Sequence, residues 1–128
     1  KCNVTAVFTI DQVKDIINVV DNRTDLIISI FAGRIADTGI DPEKIVTDSI
    51  NIAKSKPKSE IFWASTRENL NIFQAERMGC HIITVPHDLL KKMSNIGKNL
   101  EEFSLETVHG FYTDALSAGY RIKLKNEI

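Results

Sequence analysis

Two apolar runs, each followed closely by an arginine, constrain this chain more than any other feature. The first reads Leu26-Ile27-Ile28-Ser29-Ile30-Phe31 and passes through Ala32 and Gly33 to Arg34. The second reads Ile61-Phe62-Trp63-Ala64 and passes through Ser65 and Thr66 to Arg67. The interval between them, about thirty residues, is the length of one strand-helix-strand unit. In a parallel sheet both arginines then leave the carboxyl ends of neighbouring strands, where a phosphate-sized anion meets two guanidinium forks at once.

The rest of the sequence repeats that alternation. Residues 3–8 read as a strand, and Thr9 with Gln12 forms a capping box for a helix carrying Val13, Ile16, Ile17 and Val20 at helical spacing. The run 26–31 is too continuously apolar for a strand with one wet face, and suits a parallel strand covered on both sides. A loop with Gly33 and Gly39 follows; Asp41 as N-cap and Pro42 at the first helical position open a helix that buries Ile45, Val46, Ile50 and Ala53. Residues 61–64 form the third strand and 68–78 the third helix, stopped by Gly79. Residues 81–85 are the fourth strand, closed by Pro86 and followed by a short helix over 89–93. The last helix, 104–119, begins at Ser104 and carries Leu105, Val108, Phe111, Tyr112 and Ala115 on one stripe. The expected organisation is therefore one α/β domain over 1–128, with four βα units in 1–95 and a C-terminal helix.

Composition narrows the function classes. A formal net charge of −1 leaves no general basic field for nucleic acid, and the densest basic run, Lys54, Lys56 and Lys58, sits around Pro57 in a predicted solvated loop. No stretch approaches the ~18 apolar residues of a membrane span, and residues at the amino terminus have no signal-peptide character. Cys2 and Cys80 have neither metal-ligand spacing nor a pairing pattern, as expected of reduced thiols in the cytoplasm. His81, His87 and His109 share no spacing for a metal or for a nucleophile's base. Neither metal nor cofactor is expected.

Four parallel strands leave two unpaired edges. A doubly wound sheet hides them by placing its first strand centrally, whereas a (β/α)8 barrel, which takes about 250 residues, needs four more strands from elsewhere. Length favours the doubly wound sheet.

The motifs favour the barrel. Asn3-Val4-Thr5-Ala6-Val7-Phe8-Thr9, with Gln12 after it, resembles a strand of the transaldolases, which are (β/α)8 barrels. Ser29-Ile30-Phe31-Ala32-Gly33-Arg34-Ile35-Ala36-Asp37 is similar to their Ser-Pro-Phe-Val-Gly-Arg stretch, with Ile30 in place of the usual proline. Ala64-Ser65-Thr66-Arg67 resembles their Ala-Ser-x-Arg segment, with Thr66 in place of an aromatic or aliphatic residue, and Thr84-Val85-Pro86 with Leu89-Leu90 resembles a fourth. All four stand in family order over residues 3–93. The resemblance implies strands five to eight of the barrel plus its terminal helix, and a soluble enzyme of the pentose phosphate pathway that passes a dihydroxyacetone unit between sugar phosphates through a lysine Schiff base. It places that lysine on the strand before the one containing Asn3, and no residue here matches it.

What the resemblance carries over is recognition. It implies that Arg34, Ser65 and Arg67 bind the sugar phosphate, that Asn3 holds substrate hydroxyls, that Thr5 positions a catalytic water, and that Ser29 and Phe31 line the site. Relatives that cleave fructose 6-phosphate tend to carry tyrosine at the Phe31 position, so phenylalanine favours transfer over that aldolase chemistry. The residues by themselves leave alternatives open. Ser65 with Glu68 fits a capping box, and Asp37 is a carboxylate partner for Arg34. Alternation along the strand puts Asn3 and Thr5 on one face, as it does Ser29 and Phe31. A different class also accommodates the two arginines: a monomeric flavodoxin-like module that binds a phosphorylated partner without catalysis. The half-barrel is expected instead to self-associate or to pair with an N-terminal half.

Overall fold

The computed structural model describes residues 1–121. Strands β1 (Cys2–Val7), β2 (Leu26–Ile30), β3 (Ser59–Trp63) and β4 (Ile82–Ile83) alternate with helices α1 (Ile10–Val19), α2 (Ala32–Ala36), α3 (Glu43–Ala53), α4 (Leu70–Met78) and α5 (His87–Lys92). A 3-10 turn, Met93–Asn95, and helix α6 (Leu100–Ser117) follow. Where composition led to one domain, the chain divides into two compact units, Lys1–Ser94 and a second beginning at Asn95.

All strand pairs are parallel, and the sheet order is β1-β2-β3-β4. This order corrects the doubly wound and flavodoxin-like alternatives, because the first strand is at an edge rather than in the centre. Each crossover returns the chain to the next place in line, the connectivity of a barrel wall.

Register shows which face is dry. Leu26, Ile28 and Ile30 of β2 and Ile61 and Trp63 of β3 are buried, and they cluster with Val13 and Ile17 of α1, Val46 and Ala53 of α3, and Ala75 of α4. The opposite face presents Asn3 and Thr5, both exposed, with Ile27, Glu60 and Phe62 partly so. Within the Lys1–Ser94 unit the helices that join this core, α1, α3 and α4, lie on one side of the sheet, whereas the apolar run at β2 predicted cover on both.

Local chemistry explains most boundaries. The Thr9 and Gln12 capping box forms as predicted, with the Gln12 backbone donating to the Thr9 hydroxyl and the Gln12 side chain accepting from the Thr9 N–H. Asp41 accepts from the Glu43 N–H at 2.9 Å, although Pro42 rather than Asp41 occupies the cap position. β4 is shorter than the predicted 81–85, and one ladder position beside it is filled by a side chain: His81 Nδ1 accepts from the Ile61 N–H at 3.0 Å. Considered by itself, α6 starts at Leu100 rather than 104, since Asn99 caps it by accepting from the Glu101 and Glu102 N–H groups. Its Leu105, Val108, Phe111 and Tyr112 are all exposed.

Candidate functional site

Arg34 sits not in a loop, as the sequence suggested, but in the single helical turn α2 that begins directly after β2. Its guanidinium lies over the Phe31 ring, 5.3 Å from the centroid, and Phe31 in turn packs against Phe8 with ring centroids 5.8 Å apart. No hydrogen bond or ion pair engages Arg34 among the described residues. Among the described residues its N–H donors are therefore unspent.

Asp37 takes the other arginine. Arg67 Nη2 lies 2.6 Å from Asp37 Oδ2, which corrects the pairing of Asp37 with Arg34 considered from sequence. Both side chains are about half exposed, at 52% and 55%, so the pair is worth ~1 kcal/mol or less and an incoming dianion can displace it.

The loop that carries Arg67 is seated on Gly33. A Cβ built on Gly33 falls 1.6 Å from the Ser65 carbonyl oxygen and 2.9 Å from Arg67 Cγ, so the β3–α4 loop rests directly on the α2 backbone. The stem of Arg67 thus crosses the residue next to Arg34. Both arginines follow the carboxyl ends of adjacent strands, as the thirty-residue spacing predicted.

Ser65 departs from expectation. It lies five positions ahead of α4, which begins at Leu70 after the cap Asn69, so the Ser65 and Glu68 capping box is absent and no helix amino terminus lies at Ser65. Its φ of 63° is in the left-handed region, which costs a non-glycine residue ~1 kcal/mol or more. The loop is held instead by a residue the sequence reading missed. Asn71, 9% exposed, accepts from the Arg67 N–H at 2.9 Å and the Glu68 N–H at 3.1 Å, and donates to Gln74 Oε1 at 2.8 Å. An asparagine inside the first turn of a helix, directly behind an arginine-bearing loop, was the available signal. Asn71→Ala is expected to leave two N–H groups without their acceptor and to cost about 1–3 kcal/mol, read by urea denaturation. An unchanged midpoint would show that water serves those groups equally well.

On the helix-free face, Ser29 Oγ donates to Asn3 Oδ1 at 2.8 Å, joining two of the predicted site residues across β1 and β2. Ser29 is 2% exposed. Thr5 is exposed, next to a register shift between Val4 and Val7 where Ala6 takes a φ of 59°. Beside Ser65, Thr66 is 6% exposed and its hydroxyl has no partner among the described residues.

Burial pushes the Cys80 thiol up to about 11, so at neutral pH it is protonated and not a nucleophile. The hydrogen bond from Lys1 to Glu60, 2.6 Å long, raises the ammonium's pKa, the reverse of what Schiff-base chemistry asks of a lysine. Every other described lysine is exposed except Lys56, which is half-buried and donates to the Val20 carbonyl. Among the described residues no group of three or more His, Cys, Asp or Glu stands close enough to hold a metal ion, and no helix is long and apolar enough to cross a membrane.

Comparison with known proteins agrees with the motif reading. Residues 1–123 match the family model described as transaldolase/fructose-6-phosphate aldolase. A probable transaldolase of Thermoanaerobacter sp. (strain X514) is 33% identical over 94 residues, 73% of this chain and 42% of that protein. One from Streptococcus equi subsp. zooepidemicus (strain MGCS10565) is 34% identical over 95 residues, again 73% and 42%. A third, from Nitrosopumilus maritimus (strain SCM1), is 35% identical over 68 residues, 52% of this chain and 31% of that protein. The chain therefore aligns with less than half the length of the curated relatives it matches.

Proposed function

This chain belongs to the transaldolase/fructose-6-phosphate aldolase family, and on that premise we propose that it supplies the phosphate-recognition half of a sugar-phosphate site. In this reading the four strands are strands five to eight of a barrel. Their helix-free face, with Asn3, Ser29 and Phe62, turns inward against a second set of strands, from a longer polypeptide or a second copy. Sequential parallel order and one-sided helix cover support that placement.

Arg34 and Arg67 grip the phosphate, with Ser65 between them. The observation that supports this reading is the seat of the Ser65–Arg67 loop on Gly33, which lays the stem of Arg67 against the residue that precedes Arg34. Asn3 and Ser29, already hydrogen-bonded to each other, offer polar contacts to substrate hydroxyls, and Thr5 stands two residues further along β1. Phenylalanine at 31, in place of the tyrosine of fructose-6-phosphate-cleaving relatives, supports transfer of a dihydroxyacetone unit between cytoplasmic sugar phosphates as the reaction of the complete barrel.

The Schiff-base lysine belongs to the other half. Borohydride reduction in the presence of fructose 6-phosphate is expected to leave this polypeptide unlabelled, while titration is expected to show that it binds inorganic phosphate. Arg34→Ala and Arg67→Ala should each weaken that binding about tenfold, roughly 1.4 kcal/mol, the scale of a charge-assisted hydrogen bond. A covalent adduct on any lysine here, or phosphate binding indifferent to both substitutions, overturns the proposal.

A further inference from the structure

We infer that Phe31 is a positioning residue for anion binding, acting through Arg34, and this rests on the phosphate site proposed above. A guanidinium has two ways to be held still. A carboxylate does so by consuming N–H donors, as Asp37 does to Arg67 at 2.6 Å. An aromatic ring does so through the planar face, leaving every N–H edge available. Arg34 has the second arrangement: its Cζ stands 5.3 Å from the Phe31 centroid, inside the range of a cation–π contact, and it makes no hydrogen bond among the described residues.

The ring is itself fixed. Phe31 is half-buried, its backbone N–H donates to the Val7 carbonyl at 3.0 Å, and Phe8 packs on it at 46° between ring planes. The contacts run from β1 through Phe8 and Phe31 to the guanidinium. Phe31 thus fixes where the N–H fork of Arg34 points before an anion arrives, and the ordering of a long side chain is not charged to binding.

The roles predicted for Phe31 and Arg34 from sequence were separate, lining and phosphate contact. Here they form one device. A side chain that merely fills space at 31 would act on stability and not on the fork, so the two cases separate experimentally.

The test combines inorganic phosphate titration with the NMR signal of the Arg34 Nε–H. Phe31→Leu is expected to weaken phosphate binding about threefold to fivefold, the scale of an exposed cation–π contact. It should also remove the ring-current upfield shift of the Arg34 Nε–H. Phe31→Tyr, which keeps the face, should restore both. In an Arg34→Ala background, Phe31→Leu should add nothing further. Equal losses with and without Arg34, or an Nε–H signal unmoved by Phe31→Leu, overturn the inference while the phosphate site survives through the Arg34→Ala effect. If Arg34→Ala itself leaves phosphate binding intact, both the site and this inference fall.

Discussion

Replacing Gly33 with alanine is expected to destabilise the Lys1–Ser94 unit by about 3 kcal/mol and to weaken phosphate binding tenfold or more. The reason is room. Gly33 has no positive φ that an alanine would resist; the obstacle is a backbone oxygen, the Ser65 carbonyl, only 1.6 Å from where the methyl carbon would stand. A flexible side chain can swing away from such a contact, but a carbonyl moves only with its loop. That loop also carries Arg67, whose Cγ lies 2.9 Å from the same point. Stability and anion affinity must therefore fall together. Gly39→Ala makes the control: its φ of +83° is strained for alanine, but its surroundings are open, so a stability loss without an affinity loss is expected there. Urea denaturation and phosphate titration on both variants decide the matter, and a Gly33→Ala protein with normal phosphate affinity would refute the seating role.

Trp63 should give the largest stability effect in the core. It is fully buried in β3 at the centre of the cluster formed by β2, α1 and α3, so Trp63→Ala is expected to cost about 3–5 kcal/mol, enough to unfold a small α/β unit of ordinary stability. Trp63→Phe should cost far less than Trp63→Ala. The indole Nε1 is buried without a hydrogen-bond partner among the described residues, so its removal forfeits no bond and relieves an unpaid desolvation. Because this is the chain's single tryptophan, circular dichroism rather than its fluorescence must follow the unfolding. A Trp63→Phe variant as unstable as Trp63→Ala would mean that the nitrogen has a partner in solution.

The parts of this molecule that were legible beforehand share one property: they are written in runs. β2 is four apolar residues with a serine among them, α1 has a capping pair and a helical stripe, and the arginines stand at a fixed distance behind two such runs. Features set by a single atom's surroundings were not legible. α2 was hidden because Ala32-Gly33-Arg34-Ile35-Ala36 contains a glycine, which suggests a loop, whereas that glycine is needed for close approach. Ser65 and Glu68 have the right letters for a capping box, but the left-handed turn at Ser65 and the Asn71 acceptor delay α4 to Leu70. The choice of Asp37 between two arginines is a question of reach, decided only when the Arg67 stem is laid over Gly33. At α6, Ser104 looked like a start, yet Asn99 with Glu101 and Glu102 behind it offers both a side-chain acceptor and two favourable charges for the first turn.

The neighbour-to-neighbour order of the sheet bears on how the protein is made. Each of β2, β3 and β4 pairs with the strand synthesised just before it, so a nascent chain leaving the ribosome can add one βα unit at a time without waiting for distant sequence. At each stage the newest strand is also the growing margin, ready to template the next.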